Sequence, residues 1–262
     1  MQAVPMAFVE FRGVKKAFGP KRVYRDLNLD IHRGEALTIV GGSGQGKSVM
    51  LKLLTGLLRI DEGTIHFDGE RIDHLDETGY APVRRRVQML FQGGALFDSM
   101  RVVDNVKYGM REAGEMGEDE MSERARESLE QVGLAGMEAK WPSELSAGMK
   151  KRVGLARAIA IRPDVLLYDE PTTGLDPDTI RVITDLILRL QQTLQVTSVV
   201  VTHDMPAVFK LSQRIAMIQD GGIIFEGSPQ EFVRSADARV NDFVHGNAPE
   251  DEDVEALLRS AG

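Results

Sequence analysis

One eight-residue stretch constrains this chain more than any other. Residues 41–48 read Gly-Gly-Ser-Gly-Gln-Gly-Lys-Ser, which fits the phosphate-binding pattern G-x-x-x-x-G-K-S. The apolar run 36–40 precedes the stretch, and apolar residues at helical spacing follow it. A strand, a loop and a helix in this order are the context that the pattern requires, so we prefer a phosphate-binding loop to an ordinary glycine-rich turn. The stretch predicts an α/β protein that binds a nucleotide.

The chemistry of the loop follows from its residue types. Glycines let the backbone bend tightly, so that successive N–H groups face phosphate oxygens, and the helix N-terminus adds partial positive charge. We expect Lys47 to reach the β- and γ-phosphates and the Ser48 hydroxyl to bind Mg²⁺. The candidate nucleotide contacts in this stretch are Gly41, Gly42, Ser43, Gly44, Gln45, Gly46, Lys47, Ser48 and Val49.

The composition narrows the class of protein. A length of 262 residues suits one large α/β domain or a core with an inserted subdomain. The net charge of −8 argues against a nucleic-acid partner, and the absence of cysteine excludes disulfides and thiolate chemistry. No apolar run approaches the ~20 residues that span a bilayer, and the N-terminus lacks a signal-peptide pattern. We therefore expect a chain that does not cross a membrane by itself, which leaves open that it docks onto a partner that does.

Patterning along the chain predicts three blocks. Residues 8–11, 27–31 and 64–67 alternate apolar and polar, which predicts an antiparallel sheet beside the phosphate-binding unit. After a further strand at 87–91, residues 98–161 are mostly of helical pattern and read as a helical insertion. The α/β core then resumes. Its predicted elements are strands 165–168 and 198–202, a helix over 179–194 and a hairpin whose strands are 215–218 and 223–225.

Within the insertion, two helices have terminal signals. Residues 121–132 predict an amphipathic helix with Ser122 as N-cap and Gly133 as its stop, after a loop at 113–120. Residues 146–161 predict a second helix with Ser146 as N-cap. Such a capped N-terminus leaves N–H groups that suit an anion, although a cap alone is the plainer interpretation.

Polar residues follow several predicted core strands. Asp169 and Glu170 close the strand 165–168, where one carboxylate can hold Mg²⁺ through water and the other can polarise an attacking water. His203 follows the strand 198–202, at the edge where α/β folds place ligands. Gln92 follows the strand 87–91 and is a further candidate for the metal or the water. Taken singly, each has a plainer role as a solvent-facing, capping or turn residue, but together with the loop they form an NTP hydrolysis site.

The order of these motifs resembles the ATP-binding subunits of ABC transporters, from about residue 7 to about residue 245. The decisive elements are the phosphate-binding loop, Gln92, Leu145-Ser146-Ala147-Gly148-Met149, Asp169-Glu170, Gly174-Leu175-Asp176 and His203. The resemblance implies a P-loop NTPase (RecA-like) core with an N-terminal antiparallel β subdomain and an α-helical subdomain inserted at about 98–161. Residues 7–245 form the expected ATPase domain, and residues 246–262 an acidic C-terminal tail.

The resemblance also implies a role for each matching residue. Phe18 matches the aromatic residue that stacks on adenine, with Tyr24 as the alternative; Glu170 matches the catalytic base and His203 the switch histidine at the γ-phosphate. Gln92 matches the residue that senses Mg²⁺ and touches the transmembrane partner. In this family two subunits sandwich two ATP molecules head to tail. Ser146 and Gly148 match residues that contact the γ-phosphate bound by the opposite subunit, and Asp176 matches the D-loop aspartate.

The signature of this family, which corresponds to Leu145–Met149 here, departs from the usual pattern at two positions. Ala147 stands where Gly is usual, and Met149 where Gln is usual. If position 147 is the first helical residue, Ala fits without cost, whereas a positive φ there costs about 1 kcal/mol or more. We favour the helical alternative and expect the site to work.

Three stretches narrow the family resemblance further. Residues 91–100, Met149 and residues 237–246 are similar to those of the ATPases of phospholipid-trafficking systems that maintain outer-membrane lipid asymmetry, the MCE-type and toluene-tolerance group. The implied partners are a permease, an MCE-domain lipid-binding protein and a small regulatory subunit, with the ATPase peripheral on the cytoplasmic face of the inner membrane. The alternatives are an ABC ATPase for another cargo, such as an amino acid, metal or drug, and a non-transport ABC ATPase acting on DNA or the ribosome.

Overall fold

The computed structural model describes residues 7–247, which contain two sheets and nine α-helices. The strands are β1 (Val9–Phe18), β2 (Lys21–Ile31), β3 (Ala36–Val40), β4 (Glu62–Phe67), β5 (Glu70–Arg71), β6 (Val87–Leu90), β7 (Val165–Asp169), β8 (Thr197–Val201), β9 (Arg214–Gln219) and β10 (Gly222–Gly227). The α-helices are α1 (Lys47–Leu54), α2 (Glu77–Arg86), α3 (Val102–Ala113), α4 (Glu118–Gln131), α5 (Ala147–Ala160), α6 (Pro177–Leu194), α7 (Met205–Leu211), α8 (Pro229–Val233) and α9 (Ala238–Asn247).

The larger sheet has six strands in the order β10-β9-β3-β8-β7-β6. Its strands are parallel except β10, which returns from β9 as the predicted hairpin. Every residue of β3, β7 and β8 is buried, as expected for strands covered on both faces. Ile39 and Asp169 both lie opposite Val201, so β3, β8 and β7 end at one common edge. The motifs that follow these strands therefore meet there.

The smaller sheet is antiparallel, with the order β2-β1-β4-β5. Phe11 lies opposite Leu29 on one side and Ile65 on the other, and all three are buried. These side chains join those of α1 and β3 in one hydrophobic cluster. The sheet thus packs against the phosphate-binding unit, which confirms the predicted fold class.

The helical insertion consists of α3, α4 and α5, which lie between β6 and β7 in the sequence. The buried side chains of these helices belong to one hydrophobic cluster. Helix α5 begins and ends within one residue of the prediction, with Ser146 as its N-cap. The predicted N-cap Ser122 is wrong, because α4 begins earlier and its cap position is Gly117. Ser122 lies inside the first turns, where its hydroxyl donates to the Glu118 carbonyl. Acidic residues at 118–120 favour this earlier start through the helix dipole.

Helix α2 was absent from the sequence-based prediction. Its three arginines and Pro82 interrupt the apolar periodicity by which a helix is recognised in a sequence. Asp76 nevertheless caps the helix, and Pro82 lies within its first two turns.

Within residues 7–247, no helix combines the length and apolar character needed to cross a bilayer. The predicted acidic tail lies mostly outside the described residues, and the predicted domain limits stay a prediction.

Candidate active site

The phosphate-binding loop connects β3 to α1 and is held from outside by β2. Gly46 has a φ of +102°, and a Cβ atom there would lie 2.4 Å from a Val23 methyl. The Tyr24 hydroxyl donates to the Gly46 carbonyl at 2.5 Å. Burial raises the pKa of Tyr24, so its phenol stays protonated and able to donate. Only glycine fits this position, and β2 fixes the end of the loop.

Replacing Tyr24 by Phe is expected to lower the free energy of unfolding by about 1 kcal/mol, since the buried hydrogen bond to Gly46 is lost while the ring is kept. Chemical denaturation measures the change. An unfolding midpoint equal to that of the unmodified protein would contradict the assigned hydrogen bond.

A cleft of about 480 Å³ opens above the loop. Phe18 lies at the cleft with 43% of its surface exposed, whereas Tyr24 is 1% exposed. A buried ring that packs under the loop has no free face, so of the two aromatic candidates only Phe18 is available to stack on a base. The residues that line the cleft are Phe18, Lys21, Val23, Ser43, Gly44, Gly46, Lys47, Ser48, Val49 and Glu170.

Lys47 is the buried cation of the cleft. Its ammonium donates to the carbonyl oxygens of Gly41 at 2.8 Å and Gly42 at 3.2 Å. Burial lowers its pKa, and the carboxylates of Glu170 and Asp169 act in the opposite direction. The side chain is therefore a preorganised donor beside the loop N–H groups. Gln45 differs, because its amide oxygen accepts from the Asp220 N–H instead of facing the cleft.

Ser48 and Asp169 meet at the common edge of the strands. The Ser48 hydroxyl donates to Asp169 Oδ1 at 2.5 Å, and Asp169 is 8% exposed. The described residues contain no cluster of three acidic or histidine ligands. Mg²⁺ needs none, since it is commonly bound by one or two protein oxygens together with waters and substrate phosphates. The hydroxyl and carboxylate oxygens of this pair fit that ion.

Glu170 occupies a conformation that few non-glycine residues adopt. Its φ is +49°, and its N–H donates to the Val201 carbonyl at 2.9 Å. Thr173 Oγ1 donates to Glu170 Oε2 at 3.1 Å, and His203 Nδ1 lies 3.1 Å from Oε1. Because an ionised carboxylate only accepts, the tautomer of His203 that can donate to it is the one with its proton on Nδ1. These contacts hold the carboxylate at the cleft.

The remaining candidates lie outside the cleft lining. Gln92 is exposed in the loop beyond β6, which ends at Leu90. Ser146 is exposed at the start of α5, and its hydroxyl accepts from the Met149 N–H. Asp176 caps α6 and accepts from Thr179. The fold of one chain thus brings Lys47, Ser48, Asp169, Glu170 and His203 together, and leaves Gln92, Ser146, Gly148 and Asp176 outside the cleft.

The backbone of α5 shows whether Ala147 is helical or has a positive φ. Ala147 is the first residue of α5 and is absent from the residues with positive φ. The helical alternative is confirmed, and Ala carries no backbone penalty there. Gly148 is buried, and a Cβ atom at this position would lie 2.5 Å from the Thr179 methyl.

Two lysines at or near the site are not among the candidates that the sequence suggested. Lys21 lines the cleft close to Phe18, and Lys151 is a buried residue of α5. Lys21 begins β2 and lies opposite Phe18, the last residue of β1, so its position three residues after Phe18 was a usable signal. Nothing in the pattern of α5 distinguished Lys151 from its basic neighbours.

Comparison with known proteins bears directly on this geometry. The family profile described as "ABC transporter" matches residues 24–173. The chain belongs to the ABC transporter family. This ABC protein is 40% identical over 240 residues to the intermembrane phospholipid transport system ATP-binding protein MlaF of Haemophilus influenzae, covering 92% of this chain and 91% of that protein. The family membership makes the chain an ATPase, as the motif order predicted.

One further relative and one solved structure show that the similarity of this ABC protein extends beyond phospholipid transport systems. The methionine import ATP-binding protein MetN of Bartonella henselae is 38% identical over 234 residues, which are 89% of this chain and 64% of that protein. Among solved structures, the dimeric post-hydrolysis state of the ATP-binding cassette MJ0796 with ADP and Pi has a TM-score of 0.77. It is 32% identical and covers 84% of this chain and 98% of that chain. The fold and the ABC ATPase class are shared across different cargoes.

Proposed function

We propose that this ABC ATPase powers a transporter that moves phospholipid between the inner and outer membranes. The observation that supports this cargo is the 40% identity to MlaF over nearly the whole of both chains. The permease, an MCE-domain lipid-binding protein and a small regulatory subunit are the proposed partners. The chain would lie on the cytoplasmic face of the inner membrane, bound to the permease.

In the proposed binding mode, the adenine ring of ATP stacks on the exposed face of Phe18. The triphosphate lies along the loop, where backbone N–H groups and the α1 N-terminus face its oxygens. The Lys47 ammonium, which donates to the Gly41 and Gly42 carbonyls in this structure, would donate instead to the β- and γ-phosphates. Ser48 and Asp169 would hold Mg²⁺, which when bound neutralises phosphate charge.

The proposed hydrolytic step uses Glu170 as general base. Its carboxylate takes a proton from the attacking water as the water oxygen bonds to the γ-phosphorus and the bond to the β-phosphate oxygen breaks. Thr173 and His203 orient the carboxylate through their hydrogen bonds. His203 is more than half exposed and is proposed to contact the γ-phosphate as well.

We further propose that each complete site requires two copies of the chain. Ser146 is exposed, although its helix N-terminus suits an anion. In a head-to-tail dimer Ser146 and Gly148 of one copy would face the γ-phosphate in the other copy's cleft, next to Asp176. The dimeric ATP-binding cassette MJ0796 supports this arrangement. Gln92, in the exposed loop after β6, is proposed to sense Mg²⁺ and to touch the permease.

Sedimentation of the Glu170→Gln variant tests the dimer. With ATP we expect a species of twice the 29.0 kDa chain mass, and without ATP the single chain. Ser146→Arg in the same background is the control, because its long side chain would block the shared site. A Glu170→Gln protein that stays monomeric at saturating ATP would contradict the shared site.

Lys21→Gln is expected to raise the KM for ATP about three- to tenfold with little change in kcat, because it removes one exposed charge at the cleft. Steady-state kinetics measures both parameters. Arg22→Gln is the matched control, since this exposed neighbour is not part of the cleft lining. An unchanged KM in Lys21→Gln would remove Lys21 from the nucleotide site.

A second candidate function rests on the methionine importer relative, which is nearly as similar as MlaF. In that case the chain would serve a permease that receives its cargo from a soluble solute-binding protein. The partner that copurifies with the chain from membranes distinguishes the two, since an MCE-domain protein belongs only to the lipid system.

A further inference from the structure

Lys151 is a buried lysine that the hydrolytic mechanism does not use. It is 5% exposed, and in the described part of the chain no carboxylate lies within ion-pair distance of its ammonium. The buried Lys107, by contrast, pairs with Glu118 at 2.7 Å. Burial lowers the pKa of Lys151, which the more distant Glu170 carboxylate opposes. Burying a lysine is costly, so its contacts need an explanation.

Those contacts are two backbone carbonyls of one loop. The Lys151 ammonium donates to the Pro171 carbonyl at 2.6 Å and to the Thr173 carbonyl at 2.9 Å. Both carbonyls lie between Glu170, which faces the cleft, and Asp176, which caps α6. Thr173 also donates its hydroxyl to the Glu170 carboxylate. The lysine therefore holds the segment that sets the position of Glu170.

Lys151 belongs to the helix that Ser146 begins. At 1.5 Å per residue, the two lie about 7.5 Å apart along the axis of α5. A second attachment runs in parallel, because Gly148 packs directly on Thr179, which is hydrogen-bonded to Asp176. The start of α5 and the loop 170–176 are thus joined at both the middle and the end of the loop.

We propose that Lys151 couples the two nucleotide sites of the dimer, so that movement of the α5 N-terminus at one ATP repositions Glu170 at the other. This rests on the proposed head-to-tail dimer. In that dimer the Ser146 and the Glu170 of one chain serve different ATP molecules. Lys151 is accordingly a positioning residue that touches no substrate, and it transmits the presence of one γ-phosphate to the other site.

The test compares the ATP dependence of hydrolysis in Lys151→Met, Lys151→Gln and the unmodified protein. Lys150→Met is the matched control, because it removes the same charge from the neighbouring position of α5 and Lys150 is only partly buried. We expect a Hill coefficient approaching the limit of about two for the unmodified protein and falling to about one in Lys151→Met. The kcat of Lys151→Met should fall about 10- to 100-fold, since the base is displaced.

Two readouts distinguish the proposed coupling role of Lys151 from a merely structural one. ATP affinity of the Lys151→Met monomer should stay within about twofold, and the double variant with Glu170→Gln should still dimerise with ATP. Lys151→Gln, which keeps one donor, should be intermediate, and it decides the test if Lys151→Met does not fold. A Hill coefficient of one in the unmodified protein, or an unchanged Hill coefficient in the Lys151 variants, would overturn the coupling. Failure of Glu170→Gln to dimerise would instead overturn the proposed dimer itself.

Discussion

Replacing Glu170 by Gln is expected to lower ATP turnover by about 10²–10⁴-fold, the usual contribution of a general base. An amide cannot take the proton of the attacking water at neutral pH, so the step that Glu170 serves is lost. The side chain keeps its shape, and its oxygen can still accept from Thr173 or His203. The defect should therefore be chemical, with the loop and the nucleotide affinity retained.

Steady-state phosphate release measures this effect, and a fluorescent ATP analogue measures the affinity in parallel. The matched control is Glu123→Gln, which makes the same change on the exposed surface of α4. Turnover of Glu170→Gln within about threefold of the unmodified protein would remove Glu170 from the role of general base.

Replacing Lys47 by Ala is expected to weaken ATP binding by about 100-fold or more. Two charge-assisted hydrogen bonds to phosphate, each contributing about 1.5–3 kcal/mol, account for an effect of this size. The truncation also leaves the carbonyls of Gly41 and Gly42 without the donor that they have in this structure. Both changes act on the loop that receives the triphosphate.

Equilibrium binding of a fluorescent ATP analogue measures the loss, and thermal unfolding without nucleotide shows whether the chain still folds. Lys52→Ala is the matched control, because Lys52 lies on the same helix and is only partly buried. Equal affinities of Lys47→Ala and the unmodified protein would refute the assignment of Lys47.

The parts of the site that follow strands were predictable from sequence. His203 is 33 residues away from Glu170 in the chain. Because parallel strands end at one edge, the residues at the ends of β7 and β8 must meet there. The phosphate-binding loop was predictable because its glycines and its flanking elements identify each other. The fold class followed from the same patterns.

Residues whose roles depend on tertiary packing were not predictable in this way. Phe18 and Tyr24 are both aromatic and stand before the loop, and only the burial of Tyr24 under Gly46 separates them. Ser122 has the chemistry of an N-cap, but the preceding acidic residues extend α4 past it. In the sequence Lys151 resembles its basic neighbours. Only the structure shows that it donates to the carbonyls of Pro171 and Thr173.

Affinity purification of the tagged chain from its native membranes, with mass spectrometry of the bound proteins and lipids, is the most direct test of the proposed function. We predict that a permease and an MCE-domain protein copurify with phospholipid, and that the Lys47→Ala variant retains the same partners. Recovery of a permease with a soluble solute-binding protein, and without enriched phospholipid, would contradict the lipid cargo while leaving the ABC ATPase assignment intact.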